Sequence, residues 1–69
     1  MIFEIYRDSK SQYRWRLFAE NKKIVADSGE SYYNKKDCEH GIDLVKSTDA
    51  KTPVYDSELK VWIVEMKVA

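Results

Sequence analysis

Cys38, His40 and Asp43 fall within one six-residue stretch. A thiol, an imidazole and a carboxylate are the parts of a nucleophilic site, the base activating the thiol and the acid orienting the base. Their spacing argues against that use. On a helix, positions two apart point roughly 200° from each other, so Cys38 and His40 do not meet. Cys38 shares its three- and four-residue spacing with Gly41, Ile42 and Val45, which reads as a thiol packed on an apolar helix face. Glu30, in Ser28-Gly29-Glu30-Ser31, is a single carboxylate without a partner of separated pKa. Turn chemistry accounts for it, and the loop lacks the glycine pattern of a phosphate cradle. One cysteine and one histidine allow neither an internal disulfide nor an ordinary zinc site. The residues therefore name no catalytic group, no metal and no cofactor, and the expectation is a protein that is not an enzyme.

A second chemistry is recognition of nucleic acid. Arg14, Arg16, Lys35 and Lys36, with Lys22 and Lys23 nearby, could form a basic surface, and Tyr32 or Tyr33 could stack on bases. Against this, 12 basic residues balance 12 acidic ones, for a formal net charge of zero, which removes bulk attraction to a polyanion. Strand alternation also turns Tyr13 and Trp15 away from Arg14 and Arg16, leaving only Phe18 on the arginine side. Nucleic-acid binding is thus the alternative reading and is disfavoured.

The elements that must position these residues follow from pattern. Ile2–Arg7 is β-branched and aromatic, with Phe3 and Ile5 on one face. Asp8–Gln12 is turn chemistry. In the next strand Tyr13, Trp15, Leu17 and Ala19 alternate with Arg14, Arg16 and Phe18, as in an antiparallel sheet with one wet side. Glu20–Lys23 is a short turn in which Asn21 tolerates the left-handed conformation. Ile24–Ser28 is a third strand, completing a meander over residues 1–28. Asn34 is the expected N-cap of a helix running to Lys46, with Asp37 as a partial capping box. Gly41 weakens that helix by ~1 kcal/mol relative to alanine, which close approach of helix to sheet would explain. Residues 53–68 form a C-terminal extended segment: Val54–Asp56 is short, Ser57-Glu58 is a turn, and Leu59–Val68 is the longest strand candidate. The expected fold class is α+β: a small antiparallel sheet of meander plus C-terminal strand, with one helix on a face, all in a single domain over residues 1–69.

That last strand has two apolar faces, Val61 with Ile63 on one and Trp62, Val64 and Met66 on the other. Such a strand wants cover on both sides, and one helix with a short meander offers little material. At 69 residues a chain buries only ~60% of its unfolded surface and is marginal alone. Without disulfide or metal, oligomerisation is the remaining remedy. The expectation is a homodimer through the C-terminal strand, with Val61, Trp62, Ile63, Val64 and Met66 at the interface. No apolar run approaches the ~18–20 residues of a membrane span, and Met1-Ile2-Phe3-Glu4 does not resemble a signal peptide. A cytoplasmic setting fits.

Taken together, Phe3–Asp8, Tyr13-Arg14-Trp15-Arg16-Leu17, Ile24–Tyr32, and Cys38 through Gly41-Ile42 and Val45-Lys46 resemble the YegP-like family of small, mainly bacterial proteins of unassigned function. The resemblance runs from about Phe3 to Asp56, and its motifs occur in order at family-like spacing. It implies an α+β unit of meander plus helix, found as a tandem pair in one chain or as a single copy. A single copy would then pair with a second chain. Two departures stand out: Asn21-Lys22-Lys23 replaces the family's Asn-Gly turn, and the tail from Leu59 to Val68 is more strand-like and apolar than a repeat end. The resemblance supplies no catalytic or ligand-binding residue.

Overall fold

The structure, a computed structural model, describes residues 1–63. Three strands, β1 (Ile2–Arg7), β2 (Tyr13–Phe18) and β3 (Ile24–Asp27), form an antiparallel meander in the order β1-β2-β3. Helix α1 (Lys35–Lys46) follows, and then a hairpin of β4 (Val54–Asp56) and β5 (Val61–Ile63). The fold class is α+β.

Register sorts the side chains into two faces. Phe3 pairs with Leu17 and Leu17 with Ala26, while Ile5 pairs with Trp15. These residues face α1, where Trp15 packs with Cys38 and Ile42 and is flanked by Val45, Tyr13 and Tyr32. Phe3 meets the Trp15 ring edge-on at 5.6 Å, a favoured aromatic geometry. Among the described residues only Trp15, Cys38 and Ile42 are buried apolar groups. That is a small core, consistent with the size argument.

The opposite face is banded. Ile2, Phe18 and Ile24 lie across from one another at one end; Glu4, Arg16 and Asp27 form the next row; Tyr6 and Arg14 the third. Phe18, which interrupts the basic alternation, therefore sits in an apolar row of its own. A bulge at Leu17/Phe18 skips Val25 in the pairing, and it lies at the turn end of the β2–β3 hairpin.

Local chemistry explains the connections. Asp8 Oδ1 accepts the amides of Lys10 and Gln12, and Ser11 takes a φ of 60° to close the first turn. In the second turn Lys22, not Asn21, carries the positive φ of 68°; Asn21 instead accepts the Lys23 amide through its side chain. Asn34 has the extended backbone of an N-cap, but its side chain makes no cap bond and reaches Asp37 instead. The helix ends where Ser47 and Thr48 donate their hydroxyls to the carbonyls of Leu44 and Val45.

The C-terminal region departs most from expectation. The C-terminal strand does not join the meander: β5 pairs with β4 in a separate two-stranded sheet. Leu59 and Lys60 belong to the turn, not to a strand starting at Leu59. Asp56 Oδ1 accepts the amides of both Glu58 and Leu59, and Lys60 adopts a φ of 56°. Of the expected interface residues, Val64 and Met66 lie outside the described residues.

Candidate functional site

Three regions gather the chain's polar and exposed groups. At the helix–sheet junction, β2 supplies Trp15, the segment after β3 supplies Tyr32, and α1 supplies Cys38 and Gly41. Tyr32 is anchored by a reciprocal pair of 2.8 Å backbone hydrogen bonds with Tyr13. A Cβ at Gly41 would stand 2.8 Å from the Tyr32 hydroxyl and 3.1 Å from Trp15 Nε1. The glycine is thus the hollow in which these two polar tips sit. Trp15 Nε1 is buried without a hydrogen-bond partner among the described residues. Burial, and then the Glu30 carboxylate, raise the Tyr32 pKa above its ordinary value. Burial likewise pushes the Cys38 thiol up, the opposite of what a nucleophile needs. Cys38 is fully buried, and His40, two positions on, is exposed. Gly29 takes a φ of 68°, with its amide on Asp27 Oδ1, while the Ser28 hydroxyl donates to the Glu30 carbonyl. The loop's polar groups thus serve its own turn.

On the outer sheet face, each arginine is held by a carboxylate through Nε: Arg14 by Asp8 at 2.9 Å and Arg16 by Glu4 at 2.6 Å. The Arg16 guanidinium also lies 4.1 Å from the centre of the Tyr6 ring, a cation–π contact. The hydrogen bond from Arg14, followed by the Gln12 amide, holds the Asp8 carboxyl below its ordinary value. Lys35 and Lys36 open α1, which packs on the other face. The four basic residues therefore do not form one surface, and the two on the sheet are matched by acids.

The third region is the free edge of β1. With the order β1-β2-β3, β1 has no second strand neighbour among the described residues. A cleft of about 630 Å³ lies at its start, where it meets the end of β2 and the following turn, with Met1, Ile2, Phe3, Phe18 and Ala19 beside the charged Glu4, Glu20 and Lys22. A second cleft, of about 290 Å³, lies between β1 and α1, with Phe3, Ile5 and Ile42 beside Glu39, Asp43 and Lys46. Beside β1 there are thus one mainly apolar hollow at the sheet end and one mixed apolar and charged hollow against α1. The β4–β5 hairpin exposes an apolar surface: Trp62 is 66% exposed, and its ring lies 4.9 Å from that of Tyr55, tilted by 57°, Tyr55 itself being 49% exposed. Leu59 and Val61 are exposed beside them, and Ile63, opposite Val54, is half-buried.

Residues 8–56 match the family described as a domain of unknown function, DUF1508. The chain belongs to this family. A UPF0339 protein of Neisseria meningitidis serogroup B is 57% identical over 54 residues, spanning 78% of this chain and 95% of the relative. A UPF0339 protein of Treponema denticola is 43% identical over 44 residues, spanning 64% of this chain and 74% of the relative. A solution structure of a protein from Haloferax volcanii superposes with a TM-score of 0.63 at 42% identity, covering 70% of this chain and 87% of that one. In this DUF1508 chain the segments that carried the resemblance, the Tyr-Arg-Trp-Arg strand, the Ser-Gly-Glu turn with Tyr32, and Gly41-Ile42, meet at the helix–sheet junction. The β5 strand lies beyond the matched residues.

Sequence reasoning missed the clefts beside β1 and the role of Asp8. The Asp8 signal was present, since an aspartate opening a polar five-residue turn is an Asx-turn former. The clefts had no sequence signal, because they depend on which strand the topology leaves at the edge. No helix among the described residues is long and apolar enough to cross a membrane.

Proposed function

We propose that this DUF1508 chain is a non-enzymatic interaction module that self-associates as a homodimer, with the C-terminal hairpin of each copy laid along the β1 edge of the other. The observation that carries this reading is the pairing of needs. β1 is an open edge with an apolar cleft at its start and a mixed apolar and charged one against α1, and the sequence of the chain's own C-terminal segment alternates apolar residues on both faces. An open edge offers unpaired backbone donors and acceptors to an incoming strand. β5 is paired on one side with β4, so a hairpin can add through its other side. As an added strand, β5 would turn Val61 and Ile63 to one side and Trp62 to the other. A two-fold arrangement lets each copy give and receive the same element. A buried thiol in a chain without disulfides suits a cytoplasmic setting.

The competing reading, a nucleic-acid module using Arg14, Arg16, Lys35 and Lys36, is less well supported, because Asp8 and Glu4 already hold the two arginines. Sedimentation across a dilution series tests both readings. The dimer reading expects a mass of two chains at tens of micromolar that dissociates on dilution, with the melting temperature falling in parallel. Trp62→Asp with Val64→Lys should yield a monomer or an unfolded chain. A stable monomer of about 8.2 kDa, with a melting temperature independent of concentration, would contradict it. So would a micromolar complex with a short single strand, lost in Arg14→Ala/Arg16→Ala, in place of self-association.

A further inference from the structure

The β4–β5 hairpin stands off the body that the rest of the chain builds. The core and the residues packed against it come from the meander, the segment after β3 and α1, and none comes from the hairpin. Among the described residues no backbone hydrogen bond ties it to the meander or to α1. The Cα radius of gyration is 14.4 Å, against about 11 Å for a compact chain of this length. The open edge can be resolved group by group. Tyr13 exchanges amide and carbonyl with Tyr32, and the Trp15 carbonyl accepts the Ser28 amide, so both residues direct their backbone away from β1. Antiparallel alternation then turns the N–H and C=O groups of their β1 partners, Arg7 and Ile5, and of Phe3 opposite Leu17, out to the edge. The end of α1 lies against this edge, with Lys46 Nζ 5.9 Å from the centre of the Phe3 ring. Ser47 and Thr48 stay tied to the helix end through their amides and hydroxyls. From Thr48 to Val54 the chain takes six peptide steps, up to ~20 Å when extended. A hairpin whose β5 pairs with β1 puts β4 two strand spacings away, ~10 Å. The hairpin's own edge is therefore within its reach.

We propose that the hairpin is an exchangeable arm. In the monomer β5 closes on the Phe3, Ile5 and Arg7 edge of its own chain; in the dimer the same hairpin swings about Asp49–Pro53 onto the same edge of a second copy. This rests on the reading that β1 receives the hairpin, and adds that dimerisation is a domain exchange whose equilibrium the linker sets. The linker takes no part in the body's packing: Asp49 and Thr52 bond to each other, and none of its residues joins the core. Its length thus acts through reach alone.

The test combines amide-resolved hydrogen exchange with sedimentation, on the full chain and on a variant lacking Asp49–Thr52. That deletion leaves two peptide steps between Thr48 and Val54, ~7 Å, too short to close on its own edge but free to reach a partner's. At a dilution where the wild type diffuses as a single chain, the amides of Phe3, Ile5 and Arg7 should be protected, exchanging roughly tenfold or more slower than in the deletion variant under the same conditions. With its closed monomer removed, the variant should dimerise more tightly, its dissociation constant falling roughly tenfold or more. A wild-type monomer whose edge amides exchange as fast as the variant's, with an unchanged dissociation constant, would overturn the exchange and leave the proposed dimer standing. Protected edge amides in a wild type that dimerises at no concentration would contradict the proposed dimer and support closure within one chain.

Discussion

Gly41→Ala should destabilise this protein, although glycine-to-alanine changes inside helices ordinarily stabilise by ~1 kcal/mol. The structure decides the sign. The added methyl would lie 2.8 Å from the Tyr32 hydroxyl and 3.1 Å from Trp15 Nε1, distances that force a neighbour to move. Trp15 is only 6% exposed and is braced by Phe3. Tyr32 is tied through its backbone to Tyr13. Overpacking of such a site costs ~1–3 kcal/mol. Set against the helix-propensity gain, the net is a loss of about 1 kcal/mol, or a fall of ~4–8 °C in melting temperature for a chain of this size. Urea denaturation of four proteins, wild type, Gly41→Ala, Tyr32→Phe and the double variant, reads the effect and its source. Removing the hydroxyl should make Gly41→Ala less costly, a coupling of the kind contacting residues show. A stabilisation of about 1 kcal/mol by Gly41→Ala in the wild-type background would refute the reasoning, because the hollow over Gly41 would then not be needed.

Other perturbations follow from the same packing. Trp15→Ala should cost ~3–5 kcal/mol, against a total of roughly 3–10 kcal/mol expected for 69 residues, so the cooperative urea transition should be lost or shifted to near-zero denaturant; a loss under ~1 kcal/mol would mean the indole is not the core's centre. Cys38 should resist a thiol reagent at neutral pH in the native state, and Cys38→Ala should keep the fold at a cost of ~1 kcal/mol; fast native labelling would contradict the burial of its sulfur. Stability should fall at both ends of the pH scale. The lowered Asp8 pKa contributes above the ordinary value of 3.8, and its contribution is lost as pH falls through the folded value, so Asp8→Asn should flatten the acid limb. The raised pKa values of Tyr32 and Cys38 contribute below their ordinary values of 10.0 and 9.0. Those contributions are lost as pH rises toward the folded values, so Tyr32→Phe should flatten the alkaline limb.

Much of the framework was legible because its signals are local and periodic. Tyr13, Trp15 and Leu17 alternate strictly, and Cys38, Gly41, Ile42 and Val45 share one helical stripe. The core residues Trp15, Cys38 and Ile42 could be drawn from those two patterns alone. Gly41 suggested close packing, but not that the neighbours would be a phenol and an indole, since Tyr32 comes from a segment with no periodicity. The second turn was misread at a single residue: asparagine is the better left-handed residue in general, yet here Asn21 spends its side chain on the Lys23 amide and leaves the strained angle to Lys22. The C-terminal region was hardest. An apolar run such as Leu59–Val68 carries no register, and the turn that Asp56 builds through two backbone amides removes Leu59 and Lys60 from the strand. The outer-face arginines were read correctly as a row, but their carboxylate partners, Glu4 and Asp8, come from the facing strand and its turn, which single-strand alternation does not reveal.

The central claim is that the hairpin of one copy lies on the β1 edge of another, and isotope-filtered NOE spectroscopy on an equimolar mixture of labelled and unlabelled chains tests it most directly. The account predicts intermolecular cross-peaks between the indole protons of Trp62 in one copy and the methyl groups of Ile2 or Ile5 in the other. Intermolecular cross-peaks absent at a concentration where the protein is fully folded, together with the diffusion rate of a single chain, would contradict it.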